Sequence, residues 1–271
     1  MEGLVNPKWK TVSLAAALCL LAWPIRAAND GILIVEKTTT GNSTQTNQIQ
    51  IEKTRMRVET MAGGQKQVVV FDGVAQVLRI IKVDAKTYTE MTKADVDRMG
   101  GQRQSAMAKM QEEMKNVPPE QRAQIEAMMS SRGMAAAVPK TEYRKTGTDH
   151  VGKWACDTYD GYLNGQKTSE VCTVDPHALG FTAADFDITQ QLVAFFQQMM
   201  PQGAGQMFAI GQAGQHGFTG IPVRRMFTVG QQQTTTVLTD VTHQTFADST
   251  YAVPAGFEKQ AGPGGRSERE R

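Results

Sequence analysis

The stretch WACDTYDGYLNGQKTSEVC, residues 154–172, contains Cys156 and Cys172 on either side of an Asn-Gly pair, with strand-like residues around that pair. Such a pattern is typical of a β-hairpin. A three-residue loop from Leu163 to Gly165 would place the two cysteines directly opposite each other, at a Cα separation that a disulfide can bridge. A two-residue Asn-Gly loop would shift the register by one residue and leave them diagonal. The pattern predicts a hairpin cross-linked by a Cys156–Cys172 disulfide.

Two other roles for these cysteines are disfavoured by their spacing. A redox pair usually has the spacing Cys-x-x-Cys at the start of a helix, and a zinc site needs four ligands. The hairpin offers neither arrangement, so a structural cross-link is favoured. Closing a loop of about 17 residues with a disulfide contributes about 3 kcal/mol in the chain-entropy model.

The N-terminal segment has the three-part pattern of a cleaved secretory signal. Two lysines precede an apolar run of about 15 residues, and small residues follow it at Ala27 and Ala28. The pattern predicts a signal peptide over residues 1–28, cleaved after Ala27 or Ala28, and a periplasmic or secreted bacterial protein that is soluble after cleavage. Cys19 is a poor lipidation site because Leu18 stands where a small residue is expected. Export also supplies the oxidising compartment in which a disulfide persists.

The charge balance excludes some partners. The full chain has 29 basic and 27 acidic residues. Removing the predicted signal peptide takes away three basic residues and one acidic residue, which leaves 26 of each. A net charge near zero argues against a nucleic-acid-binding protein or a surface strongly attracted to membranes.

Strand-like segments dominate the remaining sequence. Residues 31–91 contain short alternating runs separated by GG, DG and DAK, which predict an antiparallel meander of four or five strands. Strand-like sequence resumes at Lys140, and residues 221–246 form a final hairpin. We expect an α+β fold: a curved antiparallel sheet or incomplete β-barrel with inserted helices covering its concave face. The predicted boundaries are a single β-rich domain at 29–261 and a disordered tail at 262–271.

Two segments interrupt the strands with helical sequence. Residues from about 92 to 132 are rich in Ala, Met, Gln, Glu and Lys, and Thr92 with Asp95 resembles a capping box at the start of a helix. Pro118-Pro119 predicts the end of one helix and the start of another, so this insert should be a helical hairpin. A second helical region at about 176–200 has an apolar face that includes Phe195 and Phe196.

No motif of a known catalytic or cofactor site is present. The sequence lacks a nucleophile elbow, a P-loop, a zinc-protease motif and a dinucleotide-binding motif. The four histidines are far apart and lie in no ligand spacing. We therefore expect no enzyme activity, no cofactor and no metal site of His and Cys ligands. One metal alternative stays open, because Met107, Met110 and Met114 fall on one helical face and clustered thioethers can bind Cu(I).

Several stretches resemble a known family. GILIVEKTTT, YTEMTKADVDRMGGQ, PPEQRAQIEAMM, KTEYRKTGTDHVGKWACDTYDGY, EVCTVDPHALGFTAADF and YAVPAGFEK are similar to sequences of a bacterial exported family, the domain-of-unknown-function family 4412. The likeness covers nearly the whole chain after the signal peptide. The strand order, the helical interruption and the final VPAGF turn also resemble the lipoprotein-carrier (LolA/LolB-like) fold. That resemblance implies an incomplete antiparallel barrel whose helices fill a hydrophobic cavity, and it assigns no catalytic residue.

The leading functional prediction is a non-enzymatic exported protein that binds an apolar ligand, such as a lipid or a lipidated partner, in a half-barrel cavity. An open, curved sheet with a helical cover is a natural container for such a ligand. The lining residues are chosen for their apolar character, and ordinary core packing is the alternative for each of them: Val69, Phe71, Leu78, Ile80, Phe195 and Phe196.

Two alternative functions stay open. One is a Met-rich protein that handles Cu(I) through Met107, Met110 and Met114, although methionine is also an adaptable apolar filler. The other is a structural or protein-interaction module that docks through the helical hairpin. Nothing in the sequence predicts a nucleic-acid partner.

Overall fold

The computed structural model describes residues 30–115, 117–118, 121, 141–199, 217–230 and 232–262. The first six strands are β1 (Asp30–Thr40), β2 (Ser43–Ile51), β3 (Arg55–Ala62), β4 (Gln65–Asp72), β5 (Val77–Lys82) and β6 (Thr87–Thr92). They are followed by α1 (Lys93–Lys115), β7 (Glu142–Val151), β8 (Trp154–Leu163), β9 (Gln166–Val174) and α2 (Asp187–Met199). The last strands are β10 (Ile221–Val229), β11 (Gln232–Thr245) and β12 (Glu258–Gln260).

These strands form one open sheet in the order β12-β6-β5-β4-β3-β2-β1-β11-β10-β9-β8-β7. The N-terminal meander has six strands, where the sequence predicted four or five. All neighbours are antiparallel except β12, which pairs in parallel with β6. The predicted antiparallel sheet is therefore mixed at one edge, because the C-terminal segment returns beside β6 over only three residues. A mostly β fold with two described α-helices agrees with the predicted α+β class.

Some predicted segments lie outside the described residues. They are the signal peptide at 1–28 with its cleavage positions Ala27 and Ala28, most of the insert between 116 and 132, and the tail beyond residue 262. Within the described ranges, no helix is both long enough and apolar enough to cross a membrane.

The cysteine hairpin forms the predicted disulfide with a different loop. Leu163 pairs with Gln166, so the loop has two residues, Asn164 and Gly165, both with positive φ (51° and 79°). This loop alone would put the cysteines on opposite faces of the sheet, and not in the diagonal position expected from the sequence, because opposed residues share a face and neighbours alternate. A bulge in β9, next to the pairing of Gly161 with Ser169, restores the shared face.

The cysteines are consequently diagonal neighbours, and the prediction that they lie directly opposite each other is wrong. Cys172 pairs with Thr158, two residues beyond Cys156 along β8. The two Cα atoms are 5.5 Å apart, a separation that a disulfide spans, and the two residues are bonded.

The start of α1 confirms the predicted capping box. The carboxylate of Asp95 accepts hydrogen bonds from the backbone N–H and the hydroxyl of Thr92, at 3.0 and 2.7 Å. The hydroxyl of Thr92 accepts in return from the backbone N–H of Asp95. The side-chain hydrogen bond from Thr92 is the main reason that the pKa of Asp95 is lowered.

The second helical region spans Pro176 to Met199, and only its second half is α-helix. It begins with two 3-10 turns, Pro176–Leu179 and Ala183–Phe186, before α2 starts at Asp187. Gly180 ends the first turn in a left-handed conformation with φ of 76°, which a helix cannot continue through. The buried rings of Phe181 and Phe186 then stack against each other.

The main core lies between α2 and one face of the sheet, the helix-side face. Ile188, Leu192 and Phe195 of α2 are buried in one cluster with residues from β1 to β5. Alternation along β1 places Ile32 and Ile34 on this face. In α1, Val96 is the buried residue. The helices therefore cover the sheet mainly through α2.

A second cluster covers the opposite face near the β4–β5 hairpin. Val68, Val70, Ile81 and Tyr251 are buried there, and Phe246 and Phe257 of the C-terminal segment pack against them. The guanidinium of Arg55 lies 4.4 Å from the centre of the Tyr251 ring. Arg55 also forms ion pairs with Glu52 and Asp248. These contacts attach the C-terminal segment to the turn between β2 and β3.

Replacing Tyr251 with phenylalanine is expected to raise the free energy of unfolding by about 1 kcal/mol at pH 7. The Tyr251 hydroxyl is buried without a hydrogen-bond partner in the described part of the chain, and removing such a group relieves its desolvation cost. The ring contact with Arg55 is kept. Urea denaturation measures the change, and Tyr88→Phe in the same cluster is the matched control.

The same substitution should change the response to alkaline pH. Burial is the main reason that the pKa of Tyr251 is raised above its usual value near 10. A raised pKa contributes stability that is fully present below the unfolded-state pKa and is lost as the pH rises above it. Between pH 10 and 11.5 we expect the wild-type protein to lose more stability than Tyr251→Phe. Parallel losses in both proteins would contradict this.

Candidate functional site

The helix-side face is organised in rows of paired residues that cross the first six strands. The row nearest α2 is entirely apolar, and each of its members is no more than 8% exposed. It runs, strand by strand in register, through Met91, Leu78, Phe71, Met56, Ile51 and Ile32. This row is ordinary core beneath the helix.

The next row is also apolar but is less completely covered. It runs in register through Ile80, Val69, Val58, Ile49, Ile34 and Val241. Ile34 and Ile49 are buried, whereas Val58, Val69 and Ile80 are half-buried at the edge of the core. We call Val58, Val69 and Ile80 the apolar shelf.

Both helices contribute partly exposed apolar side chains that pack against the same core. The ring of Phe195 makes an edge contact with Phe71, with centroids 5.5 Å apart, and a second with Phe196 at 6.2 Å. Phe196 of α2 and Met99 of α1 are half-buried, and like the shelf they pack against the main core. The shelf, Phe196 and Met99 are thus partly exposed apolar groups around one core cluster.

The six lining residues predicted from the sequence all belong to this region. Phe71, Leu78 and Phe195 are buried and serve as core. Val69, Ile80 and Phe196 lie at the half-buried edge. The structure brings the six together, and their role in binding stays a prediction.

The third row on the same face is polar. It contains Glu36, Asn47, Thr60, Gln67 and Lys82, on β1 to β5. The Asn47 side chain joins its neighbours: its Oδ1 accepts from the Thr60 hydroxyl at 2.7 Å, and its Nδ2 donates to the Thr38 hydroxyl at 3.0 Å. The face therefore changes from buried apolar, through half-buried apolar, to polar over three rows.

An ion pair lies at the β1 end of this polar row. Nη2 of Arg225 donates to both carboxylate oxygens of Glu36, at 2.8 and 2.9 Å. Glu36 is 6% exposed, and the Arg225 side chain is 24% exposed. Arg225 pairs with Thr236, whose hydroxyl lies 3.0 Å from that of Thr38. Strand register and hydrogen bonds agree that these groups share one face.

Sequence reasoning missed the polar row. One signal was available in GILIVEKTTT: the alternation that puts Ile32 and Ile34 on the helix-side face also puts Glu36 there. An inward-pointing carboxylate requires a partner. The partner, 189 positions away, had no local signal.

The methionines proposed as a Cu(I) site lie on α1. Met107, Met110 and Met114 are half-buried and share one helical stripe with Val96 and Met99, because their spacings confine all five to an arc of about 80°. Among the described residues, no group of three or more His, Cys, Asp or Glu side chains could hold a metal ion. Copper binding by the three thioethers stays a prediction.

The other side of α1 has a wide, shallow depression of about 460 Å³. Its lining is mostly polar or charged and includes Asp97, Arg98, Gln102, Ser105 and Lys109. These five side chains are polar or charged, whereas the three of the apolar shelf are aliphatic. The apolar shelf is the better candidate site.

No protein-family model and no curated protein matches the chain. Membership of family 4412, which the sequence resemblance suggested, is therefore not confirmed. The chain is similar in structure to an uncharacterised conserved protein from Thermus thermophilus, with a TM-score of 0.40 and 8% identity over 87% of this chain and 91% of that one.

Two further solved structures are similar at the same low level. For the MucA/MucB complex of Pseudomonas aeruginosa the TM-score is 0.37 with 12% identity, over 84% of this chain and 56% of that one. For PNGF-II the TM-score is 0.35 with 9% identity, over 87% of this chain and 31% of that one. MucB has a LolA-like fold. At these scores the likeness carries no conclusion about function.

Proposed function

We propose that this chain is a non-enzymatic exported protein that binds an apolar ligand on the apolar shelf, between strands β3 to β5 and the two helices. The observation that carries the proposal is the half-buried row of Val58, Val69 and Ile80, which packs against the same core cluster as Phe196 and Met99. Three in-register aliphatic side chains offer a straight apolar strip across adjacent strands. An alkyl chain lying on this strip would gain about 0.8 kcal/mol for each CH₂ group removed from water.

Export and the absence of catalysis are parts of the same proposal. The signal-like N-terminal pattern and the Cys156–Cys172 bond both support an oxidising destination. The absence of catalytic motifs from the sequence supports binding rather than chemistry. The half-buried methionines of α1 suit such a role, since flexible thioether side chains adapt to ligands of variable shape.

The proposal predicts that polar substitutions on the shelf weaken binding. In Val69→Thr/Ile80→Thr, we expect the Kd for a fluorescent single-chain alkyl probe to rise at least tenfold, because two apolar contacts lose about 1.4 kcal/mol or more together. The matched control is Leu33→Thr/Val35→Thr, which changes half-buried aliphatics on the other face of β1. Fluorescence titration measures both. Equal losses in the two variants, or none in the first, would refute the shelf as the site.

A further inference from the structure

The third row on the helix-side face, called here the polar row, lies next to the apolar shelf. The two rows are close enough for one amphiphilic molecule to contact both. Rows on one face are two residues apart along each strand, which is about 7 Å. On β3 the shelf residue Val58 is followed on the same face by Thr60, and on β1 the buried Ile34 is followed by Glu36. A ligand whose alkyl chain lies on the shelf would therefore bring its polar end to this row.

The ion pair of the row disfavours a charged polar end. Glu36 and Arg225 neutralise each other, with both carboxylate oxygens bonded to one guanidinium nitrogen. An anionic group that bound this nitrogen in place of Glu36 would leave the Glu36 carboxylate, in a residue only 6% exposed, without its partner. A cationic group that bound Glu36 would likewise leave the Arg225 guanidinium unpaired. Lys82, at the end of the row in β5, is exposed to solvent. The pair therefore favours a neutral ligand group.

Asn47 and Thr60 of the row, with Thr38 beside them on β1, offer both a donor and acceptors. The Thr60 hydroxyl donates its hydrogen to Asn47 and keeps a lone pair that can accept, whereas the Asn47 amide keeps a second N–H that can donate. Hydroxyl groups of a ligand have the same dual capacity, whereas a carboxylate or phosphate only accepts. Because these side chains stand on paired strands and bond to one another, their positions are set before a ligand arrives.

On the basis of the proposed shelf, we infer that the ligand is a single-chain amphiphile with a neutral, hydroxyl-bearing headgroup, which is bound by Thr38, Asn47 and Thr60 beside the Glu36–Arg225 pair. Glu36 and Arg225 neutralise each other and leave no unpaired charge at this point for a charged headgroup.

The headgroup preference can be measured with ligands of one alkyl length. Four probes compete with the fluorescent alkyl probe at pH 8: a monoacylglycerol, a fatty-acid methyl ester, a fatty acid and an alkyltrimethylammonium ion. We expect the monoacylglycerol to bind at least tenfold more tightly than each of the other three. Thr60→Val should raise the Kd of the monoacylglycerol at least threefold and leave the Kd of the methyl ester unchanged. Thr46→Val, at an exposed position on the other face of β2, should change neither.

A charge variant reverses the expected preference. Glu36→Gln keeps the side-chain shape and frees the charge of Arg225, so the fatty acid should gain at least tenfold in affinity relative to wild type. A urea denaturation curve checks that this variant is folded. If it is not, Thr38→Val replaces it and should weaken only the monoacylglycerol.

The outcomes separate this inference from the proposed function. All four probes could bind with equal affinity, and all could bind more weakly to Val69→Thr/Ile80→Thr. The shelf would then be supported as the binding site, and the headgroup inference would be wrong. Tightest binding of the wild type to the fatty acid would overturn the inference as well. If no probe depends on the shelf, the proposed function itself fails.

Discussion

Replacing Phe195 with alanine is expected to lower the free energy of unfolding by about 3–5 kcal/mol, the largest effect among the substitutions considered. Phe195 is 6% exposed and lies between the sheet and the rest of α2. Its ring makes edge contacts with Phe71 and Phe196, at centroid distances of 5.5 and 6.2 Å. The substitution removes the ring from water-excluded surroundings and leaves a cavity that the rigid sheet cannot close.

The matched control is Phe227→Ala. Phe227 is 44% exposed in β10, so the same chemical change should cost less than about 1 kcal/mol. Urea denaturation followed by circular dichroism gives both values. If the two variants lose similar stability, α2 is not held to the sheet through the Phe195 ring. The packing that defines the edge of the apolar shelf would then be wrong.

The strands, and the common face of Val69, Phe71, Leu78 and Ile80, could be predicted from the sequence because both follow from local alternation. In β4, Val69 and Phe71 alternate with Val68 and Val70, and the two pairs do lie on opposite faces. Once the β4–β5 hairpin is predicted, Leu78 and Ile80 must join the first face. The capping box at Thr92 and Asp95 is equally local, and its hydrogen bonds form as expected.

Features that depend on distant residues could not be found this way. The partner of Glu36 is Arg225, on a strand that reaches β1 only through β11. The parallel pairing of β12 with β6 depends on where the C-terminal segment packs. Whether Val69 is core or shelf depends on how far α2 extends over the sheet, which alternation does not encode.

The cysteine hairpin shows how one local error can be offset by another feature. The Asn-Gly pair formed a two-residue loop, whereas a three-residue loop was predicted, and this alone would have separated the cysteines to opposite faces. The bulge in β9 inserts one residue and returns Cys172 to the face of Cys156. No residue between Gln166 and Cys172 indicates a bulge in the sequence. The disulfide was therefore predicted correctly, although the strand register used to predict it was wrong.

Reduction of the Cys156–Cys172 disulfide is expected to lower the free energy of unfolding by about 3 kcal/mol. The bond closes a loop of about 17 residues, and its loss restores the entropy of that loop to the unfolded chain. Both cysteines are buried in the main core, at 4% and 0% exposure, so reduction leaves the native packing nearly unchanged. The stability loss should therefore come mainly from the unfolded state.

A stability loss that comes from the unfolded state can be recognised in urea denaturation. A less constrained unfolded chain exposes more surface, so the m-value should rise as the midpoint falls. The control is Cys156→Ala/Cys172→Ala, whose free energy of unfolding should not change when reductant is added. That free energy should be lower than the value for reduced wild type, because the two buried sulfur atoms are lost. The urea midpoint of wild type could stay the same after reduction, with mass spectrometry showing two free thiols. That result would mean that strand pairing alone stabilises the bulged hairpin.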